Sequence, residues 1–242
     1  GKSLLSGLRD YNPIAACVCK ITNESDGIVT HIFGIGYGPY IITNQHLFHR
    51  NNGILRINTH AGEYLVNNAC TLKMHPIPER DIIIIRLPKD FTPFPQRLRF
   101  RTTRVGEHVC LVSSNFQTKS ISSVVSATSA TAGTANKNFF KHWISTKHGQ
   151  CGNPLVSVTD GSIVGIHSMA STVSSMNMYA GFPENFVEDY LSNDMLEWTK
   201  GWKLNADRSC WDGITLVNSK AEGLFKMAKD IFTLDDGNWE FQ

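Results

Sequence analysis

The chain has 242 residues, 41% of them hydrophobic and 18% charged, so it can bury a sizeable core and is not expected to be disordered. Lysine and arginine number 23 against 21 aspartates and glutamates, and a formal charge of +2 does not mark a nucleic-acid-binding protein. The longest aliphatic run, residues 82–85, is far shorter than the roughly 20 residues that cross a bilayer. Since the first ten residues lack a long apolar stretch, we expect no secretory segment, no membrane partner and an intracellular protein.

Between residues 12 and 182, short β-branched or apolar runs alternate with Gly, Asn, Asp and Pro. This pattern predicts many short strands and an all-β fold. Asn52-Gly53 lies between two of the runs and predicts a hairpin there. Three prolines then interrupt residues 88–95, and we interpret this region, through roughly residue 104, as the connection between two halves of the protein.

The pattern changes after residue 182. Residues 184–191 and 193–201 predict short helical turns, the second with an asparagine as its N-cap. The tail that follows is polar, and we expect it to be loosely held. The predicted divisions are an N-terminal half over residues 1–95, a C-terminal half over residues 96–220 and a tail over residues 221–242.

The six cysteines do not form a Cys-x-x-Cys pair, and the histidines do not form a His-Glu-x-x-His motif. These absences argue against a zinc site, and we predict neither a metal nor a cofactor. Five of the cysteines, at positions 17, 19, 70, 110 and 210, are interpreted as neutral thiols rather than disulfide partners. The sixth, Cys151, differs in its surroundings.

Cys151 lies between two glycines, in the stretch Gly149-Gln150-Cys151-Gly152. Glycines allow backbone conformations that other residues avoid, and they let a substrate approach closely. In such a turn the backbone N–H groups of Gly149 and Cys151 can both point at a developing oxyanion. The pattern therefore favours a nucleophilic thiol, and the alternative interpretation is a buried cysteine in a tight turn.

A nucleophilic thiol needs a base, and the base needs an orienting partner. His46 follows a predicted strand, and Asp81 precedes the four isoleucines. Taken singly, each has an ordinary alternative, a surface or core histidine and a turn residue at a strand start. Together with Cys151 they follow the order His, Asp, nucleophile that is known from the chymotrypsin arrangement.

Several stretches are similar to the nuclear inclusion a proteases of potyviruses, and the similarity extends from the first residue to about residue 205. The stretches that contain the candidate residues are Asn44-Gln45-His46-Leu47-Phe48, Arg80-Asp81-Ile82, Lys141-His142-Trp143-Ile144, Gly149-Gln150-Cys151-Gly152 and Gly165-Ile166-His167-Ser168. This resemblance implies a chymotrypsin-like double β-barrel. It also implies a cysteine endopeptidase with His46 as base, Asp81 as its partner and Cys151 as nucleophile.

The resemblance further implies a substrate, a viral polyprotein that is cut after glutamine and before Gly, Ser or Ala. In such proteases Thr146 and His167 help to hold the glutamine amide, although a strand histidine satisfied by a neighbour is the ordinary alternative for His167. The backbone of residues 149–151, that is Gly149, Gln150 and Cys151, is expected to form the oxyanion hole. The remaining residues expected to line the substrate site are His148, Ser168, Met169 and Ala170.

The family is also associated with RNA binding and with the viral RNA polymerase, which makes both of them expected partners. Arg97, Arg99, Arg101 and Arg104 alternate with apolar residues and could line one strand face, so an RNA-binding, replication-associated role is the alternative function. More often such a run is simply a solvated face. The family also implies the host cytoplasm and nucleus as the location, and a monomer is the default expectation for a processing enzyme of this size.

Three further features bear on specificity. Position 148 is a histidine and position 153 an asparagine, where related proteases have an acidic residue and a smaller residue, so the details of the specificity pocket are expected to differ. The first residue is Gly1 and the last is Gln242, which are the ends that Gln–Gly cuts at the borders of the protein would leave.

Overall fold

The structure is a computed structural model that describes residues 10–25, 27–48, 53–77, 79–117, 120–192, 199–200, 215–216, 231–234 and 237–242. Short strands dominate these residues, as the alternating sequence pattern predicts. In chain order the strands are β1 (Val18–Ser25), β2 (Ile28–Tyr37), β3 (Tyr40–Thr43), β4 (Ile54–Thr59), β5 (Gly62–Val66), β6 (Lys73–Ile77), β7 (Ile82–Arg86), β8 (His108–Ser114), β9 (Ser123–Val125), β10 (Ser129–Ala130), β11 (Ala132–Gly133), β12 (Phe139–His142), β13 (Pro154–Ser157), β14 (Ile163–Ser171), β15 (Asn177–Gly181), β16 (Thr199–Lys200), β17 (Thr215–Leu216), β18 (Ile231–Leu234) and β19 (Gly237–Phe241).

The strands form two antiparallel sheets. The first sheet has the order β16-β6-β7-β3-β2-β1-β4-β5, and the second has the order β10-β8-β13-β14-β15-β12-β11 with β9, β17, β18 and β19 attached beside it. Apart from β16, the first sheet ends at residue 86, and the second begins at residue 108. The predicted boundary at residues 95–96 falls in this interval and stays a prediction.

The core of the first sheet is built on its aliphatic strands. Residues 82–85, the isoleucines of β7, have no exposed surface and lie between β6 and β3. Burial of each such side chain contributes about 1.5–3 kcal/mol, so β7 is one of the most firmly held strands of the fold. This matters for function because Asp81 immediately precedes β7.

The connection between the sheets is irregular, and its one isolated bridge pairs Phe100 with Ile163. The ring of Phe100 packs edge-on against Tyr37 of β2 at 5.9 Å and against Phe182, just after β15, at 5.1 Å between centroids. Aromatic edge-to-face pairs of this kind add about 0.5–1.5 kcal/mol beyond area burial. The connection thus fastens one sheet to the other.

Helical structure is sparse in the described residues. A short helix α1 covers Asn12–Ala15, two 3-10 turns cover Gln45–Phe48 and Ala69–Thr71, and a π-helical turn covers Val187–Leu191. The last of these lies within the turn predicted for residues 184–191. The turn predicted for residues 193–201 lies largely outside the described residues. No helix within the described ranges is long and apolar enough to span a membrane.

Two expectations about local structure are wrong. The runs on either side of Asn52-Gly53 are not paired with each other, because β4 pairs with β1 and β5 while β3 pairs with β2 and β7. The tail is not loosely held at its end, since β19 pairs with β14 and buries Trp239 and Phe241. Although the composition of the tail is mostly polar, these two large aromatic side chains bury enough apolar surface to hold its last residues in place.

Candidate active site

The strand pairing of β3 with β7 brings His46 and Asp81 together. Thr43, the last residue of β3, is opposite Ile83, so the chain that leaves β3 passes the residue that precedes β7. His46 lies in the 3-10 turn after β3, and its Nδ1 is 2.8 Å from Oδ2 of Asp81. The backbone N–H of His46 also donates to Oδ1 of Asp81 at 3.0 Å. An ionised carboxylate can only accept, so Nδ1 of His46 carries the proton and Nε2 the lone pair.

Two further side chains fix the carboxylate of Asp81. The hydroxyl of Ser168 donates to Oδ2 at 2.5 Å, and Nδ2 of Asn44 donates to the same oxygen at 3.2 Å. Asp81 is fully buried and adopts a positive φ of 51°, a backbone conformation that costs a non-glycine residue of order 1–3 kcal/mol. The surrounding hydrogen bonds hold the carboxylate towards His46 in spite of that cost.

Cys151 lies in the turn between β12 and β13, where the flanking glycines meet a steric requirement. Gly149 and Gly152 have φ values of 89° and 84°, and a Cβ built on Gly152 would lie 1.8 Å from the carbonyl oxygen of Phe33. The carbonyl of Cys151 accepts a hydrogen bond of 2.8 Å from the backbone N–H of Phe33 in β2. The turn that contains Cys151 is therefore held directly against the first sheet, which also provides His46.

The thiol of Cys151 has no exposed surface and donates to the carbonyl of Ser168 at 3.0 Å. Burial raises its pKa well above the ordinary value, and the charge of Asp81 adds to this, while a backbone hydrogen bond from Gln242 opposes it. Burial also raises the pKa of Cys17 to about 11 and that of Cys19 to about 12. What distinguishes Cys151 is therefore the site around it. With His46 and Asp81, it fits a Cys–His–Asp triad.

A β-bulge in β14 shapes the adjoining binding edge. His167 pairs with Tyr179 and Met169 with Met178, so Ser168 is left over between them. The strand β15 follows one edge of β14, and β13 and β19 share the other. Bulges redirect side chains near active sites, and this one turns the Ser168 hydroxyl to Asp81 and leaves its carbonyl for the thiol.

The C-terminal strand β19 occupies the site as an added strand. Phe241 pairs with Met169 and Glu240 with Ala170, so both predicted residues contact the tail through the main chain. The N–H of Gln242 donates to the carbonyl of Ser168 at 3.2 Å. Main-chain pairing of this kind is how proteases and other domains hold extended peptides.

The carbonyl of Gln242 lies at the turn that contains Cys151. It accepts a hydrogen bond of 2.7 Å from the N–H of Gly149, the position expected of an oxyanion-hole donor. The expectation for Gln150 is wrong, because its N–H donates to the carbonyl of Lys147 at 3.2 Å within the turn. A donor role for the N–H of Cys151 stays a prediction.

The side chain of Gln242 fills a polar pocket. Its Oε1 accepts from the Thr146 hydroxyl at 2.5 Å and lies 2.7 Å from Nε2 of His167. The pKa of His167 is lowered to about 4, chiefly by burial; the bond to Gln242 opposes this shift, and the nearby His46 adds to it. The imidazole is therefore neutral near pH 7 and offers an N–H to a neutral amide oxygen.

Two other residues of β19 contact the site. The ring of Phe241 stacks on His46 at 4.2 Å between centroids, with 19° between the planes. Oε1 of Glu240 is 3.7 Å from Nε2 of His148, a side chain that is about half exposed. His148 thus faces Glu240, the third residue counted back from and including Gln242, and not the amide of Gln242.

Sequence reasoning assigned Ser168 only to substrate binding and missed Asn44 and His142, which lies behind His167. Asn44 and His142 do occur in the stretches that resemble the protease family, but nothing in their local sequence reveals a partner. Among the described residues, no group of three His, Cys, Asp or Glu side chains is placed to hold a metal ion.

Comparison with known proteins gives a consistent result. Residues 1–232 match the family described as Peptidase family C4. The chain is 52% identical over 235 residues to the genome polyprotein of plum pox potyvirus (isolate NAT) and 50% identical over 234 residues to that of turnip mosaic virus (strain Japanese). These matches cover 97% and 96% of the chain but only 8% and 7% of the polyproteins.

Solved structures agree. The chain is 54% identical to catalytically active tobacco etch virus protease complexed with product, with a TM-score of 0.80, covering 86% of this chain and 90% of that one. It is 52% identical to tobacco vein mottling virus protease, with a TM-score of 0.82, covering 87% and 97%. A human astrovirus serine protease at 19% identity and a TM-score of 0.50 shares the fold alone, with 70% and 91% covered. The predicted chymotrypsin-like double β-barrel is confirmed.

Proposed function

The chain belongs to peptidase family C4 and is a cysteine endopeptidase, and from that premise we propose that it processes a viral polyprotein by cutting after glutamine and before a small residue. One observation supports the glutamine specificity above all. The side-chain oxygen of Gln242 lies within hydrogen-bonding distance of Thr146 and His167, while its carbonyl accepts from Gly149 beside the thiol. We infer that a glutamine held in this way presents its carbonyl carbon to Cys151.

The first half of the reaction forms a thioester. His46 Nε2 takes the proton of the Cys151 thiol as the sulfur attacks the glutamine carbonyl. The oxygen becomes an oxyanion, which the N–H of Gly149 stabilises. His46 then gives the proton to the leaving amine, and the C–N bond breaks. Because burial keeps the thiol protonated, this mechanism relies on His46 acting as the general base at the moment of attack.

The second half releases the acid product. A water molecule gives one proton to His46 Nε2 and attacks the thioester, and the same oxyanion site stabilises the tetrahedral intermediate. Collapse of the intermediate expels the sulfur, which recovers its proton from His46. Asp81 holds the imidazole in the correct tautomer through both halves and stabilises the imidazolium that forms in each.

The residue that follows glutamine would enter a cavity of about 610 Å³ beside Gly149, Gln150 and Phe33. The preference for Gly, Ser or Ala at this position rests on the family resemblance. The glutamine preference rests on the pocket, because a site built to hydrogen-bond an amide rejects an apolar side chain, which leaves buried polar groups unpaired.

Cleavage of a peptide Asn-Trp-Glu-Phe-Gln-Gly tests the proposal directly. We expect mass spectrometry to show a cut after glutamine, loss of cleavage in Cys151→Ala, and little or no cleavage when leucine replaces the glutamine. The same peptides should also be assayed with the Gln242→Ala variant. This substitution weakens binding of the C-terminal tail in the site, so the tail competes less with the peptide. Replacement of the peptide glycine by Ser, Ala or Phe tests the small-residue preference. Retained specific cleavage by Cys151→Ala would refute the nucleophile assignment.

An RNA-binding role, with the viral polymerase as a further partner, is retained as a second proposal. Arg101 pairs with Glu107 at 2.7 Å and Asp160 at 2.9 Å, so its charge is already neutralised. The candidate basic residues are then Arg97, Arg99 and Arg104. RNA affinity that falls with rising salt and survives Cys151→Ala would support this role. A location in host cytoplasm and nucleus and a monomeric state likewise stay predictions.

A further inference from the structure

A second buried histidine stands behind the glutamine pocket. His142, the last residue of β12, has no exposed surface, and its Nε2 is 3.1 Å from Nδ1 of His167. On its other side, the backbone N–H of Ile144 donates to Nδ1 of His142 at 3.1 Å. A continuous row of hydrogen bonds therefore runs from Ile144 through His142 and His167 to Oε1 of Gln242.

The direction of this row is fixed at its first member. A backbone N–H can only donate, so Nδ1 of His142 holds a lone pair and the single proton of the neutral ring is on Nε2. That proton points at Nδ1 of His167, which must then accept. The proton of His167 is consequently on Nε2, where it is donated to the glutamine oxygen.

The same row opposes a positive charge on His167. A proton on Nδ1 of His167 would point at the N–H of His142, and the two N–H groups would repel each other. To remove this repulsion, His142 would have to carry its proton on Nδ1, where it would point at the N–H of Ile144. The pKa shifts of both rings are consistent with neutral imidazoles. Burial and the neighbouring His167 lower the pKa of His142 well below its ordinary value, and burial is the main cause that lowers the pKa of His167.

The neighbouring titratable groups do not supply a counter-charge. The ring of Tyr179 is 6.0 Å from that of His142, and its hydroxyl is hydrogen-bonded to Thr103 at 2.6 Å. His46 disfavours charge on His167, and the carboxylate of Asp81 is bonded to His46, Asn44 and Ser168.

We propose that His142 is a specificity-determining positioning residue, which holds His167 as a neutral Nε2–H donor so that the pocket accepts glutamine and rejects glutamate. This inference rests on the proposed cleavage after glutamine. A glutamate carboxylate would be buried against two neutral donors without a compensating cation, which is costly. A cationic His167 would supply that cation, and the row through His142 prevents it.

The test compares His142→Phe, which removes the donor to His167, with His142→Gln, whose amide can donate in its place. Peptides that end their upstream half in Gln or Glu are assayed at pH 7.5 and 5.5. We expect His142→Phe to lower the Gln-over-Glu ratio of kcat/KM about tenfold at pH 7.5 and more at pH 5.5, since one directing hydrogen bond is lost. His142→Gln should retain most of the ratio, and His75→Phe, in β6, serves as the matched control.

A folded His142→Phe enzyme whose Gln-over-Glu ratio of kcat/KM is unchanged, even if kcat/KM falls equally for both peptides, would overturn the inference. Failure of the wild type to cut the Gln peptide would instead refute the proposed function. A measurement on the wild type covers the case in which His142→Phe does not fold. Nitrogen-15 NMR of the imidazoles should show His142 and His167 both protonated at Nε2 at pH 7, and a proton on Nδ1 of either ring would contradict the proposal.

Discussion

His46 and His167 are both buried and both contact the C-terminal strand, yet different groups stand behind their rings. Behind His46 is the carboxylate of Asp81, at 2.8 Å, and behind His167 is a second imidazole, at 3.1 Å. A carboxylate stabilises an imidazolium, whereas an N–H donor disfavours one. In the proposed mechanism, the protein thus stabilises a transient positive charge on the ring that transfers protons and disfavours one on the ring that binds the glutamine amide. Burial alone would not separate the two roles, because it is shared.

Replacement of the Asp81 carboxylate should have the largest effect on activity. Asp81→Asn presents an amide to Nδ1 of His46, which favours the wrong tautomer, so kcat should fall by about 10³–10⁴. KM for the Gln peptide should change little, because Asp81 does not contact the pocket. Steady-state kinetics measure both constants. Asp90→Asn, which affects only a bond to Tyr64, should have nearly wild-type kinetics. A kcat for Asp81→Asn within tenfold of the wild type would contradict the assigned role.

Acid should destabilise the protein through His167. Its pKa is lowered to about 4 in the folded protein, while an exposed histidine titrates near 6.5. Between these pH values the unfolded chain binds more protons than the folded protein. The contribution of neutral His167 to the free energy of unfolding is therefore fully present above about pH 6.5 and is lost as the pH falls towards 4. The loss approaches roughly 3 kcal/mol. Chemical denaturation at pH 7 and pH 4.5 measures it, and His167→Phe should show a smaller difference between the two pH values. An equal difference in both proteins would exclude His167 as its source.

Removal of one hydrogen-bond donor to Asp81 should have a smaller effect on activity. Ser168→Ala deletes the 2.5 Å bond to Oδ2 but leaves the main-chain carbonyl that accepts from Gln242. We expect kcat to fall about tenfold with KM for the Gln peptide nearly unchanged, because a hydrogen bond to a charged group contributes about 1.5–3 kcal/mol and Asn44 and His46 still hold the carboxylate. Ser162→Ala, at another buried serine, is the control. A rise in KM without a change in kcat would instead assign Ser168 to substrate binding alone.

The smallest effect concerns His148, at the edge of the site. Its ring is 3.7 Å from Glu240 and about half exposed, so the pair should contribute little. His148→Asp should reverse the preference at the third residue before the cut, with a two- to fivefold change in the kcat/KM ratio of Glu and Lys peptides. The exposed His108→Asp variant is the control. An unchanged ratio would show that His148 does not read this position.

Much of the candidate site could be predicted from the sequence because its members occur in short, recognisable stretches. The glycines beside Cys151 indicated a strained turn, and the structure gives both of them a positive φ. His46 and Asp81 flank strands that pair with each other, so their proximity follows from the sheet. The assignment of Gln150 to the oxyanion hole was wrong, because only the hydrogen bonding of the turn decides where its N–H points.

The sequence by itself determined the all-β class, the family, and the residues that we propose for the chemistry. These properties depend on alternation along strands and on local motifs, and both are written in consecutive residues. The tertiary structure alone decided what stands behind each ring, that Ser168 and Asn44 hold Asp81, and that the polar tail ends as a strand beside β14. Those contacts join positions up to 87 residues apart, as between Asp81 and Ser168. Their formation depends on a bulge, a strand edge and a shared core, which no single stretch of sequence specifies.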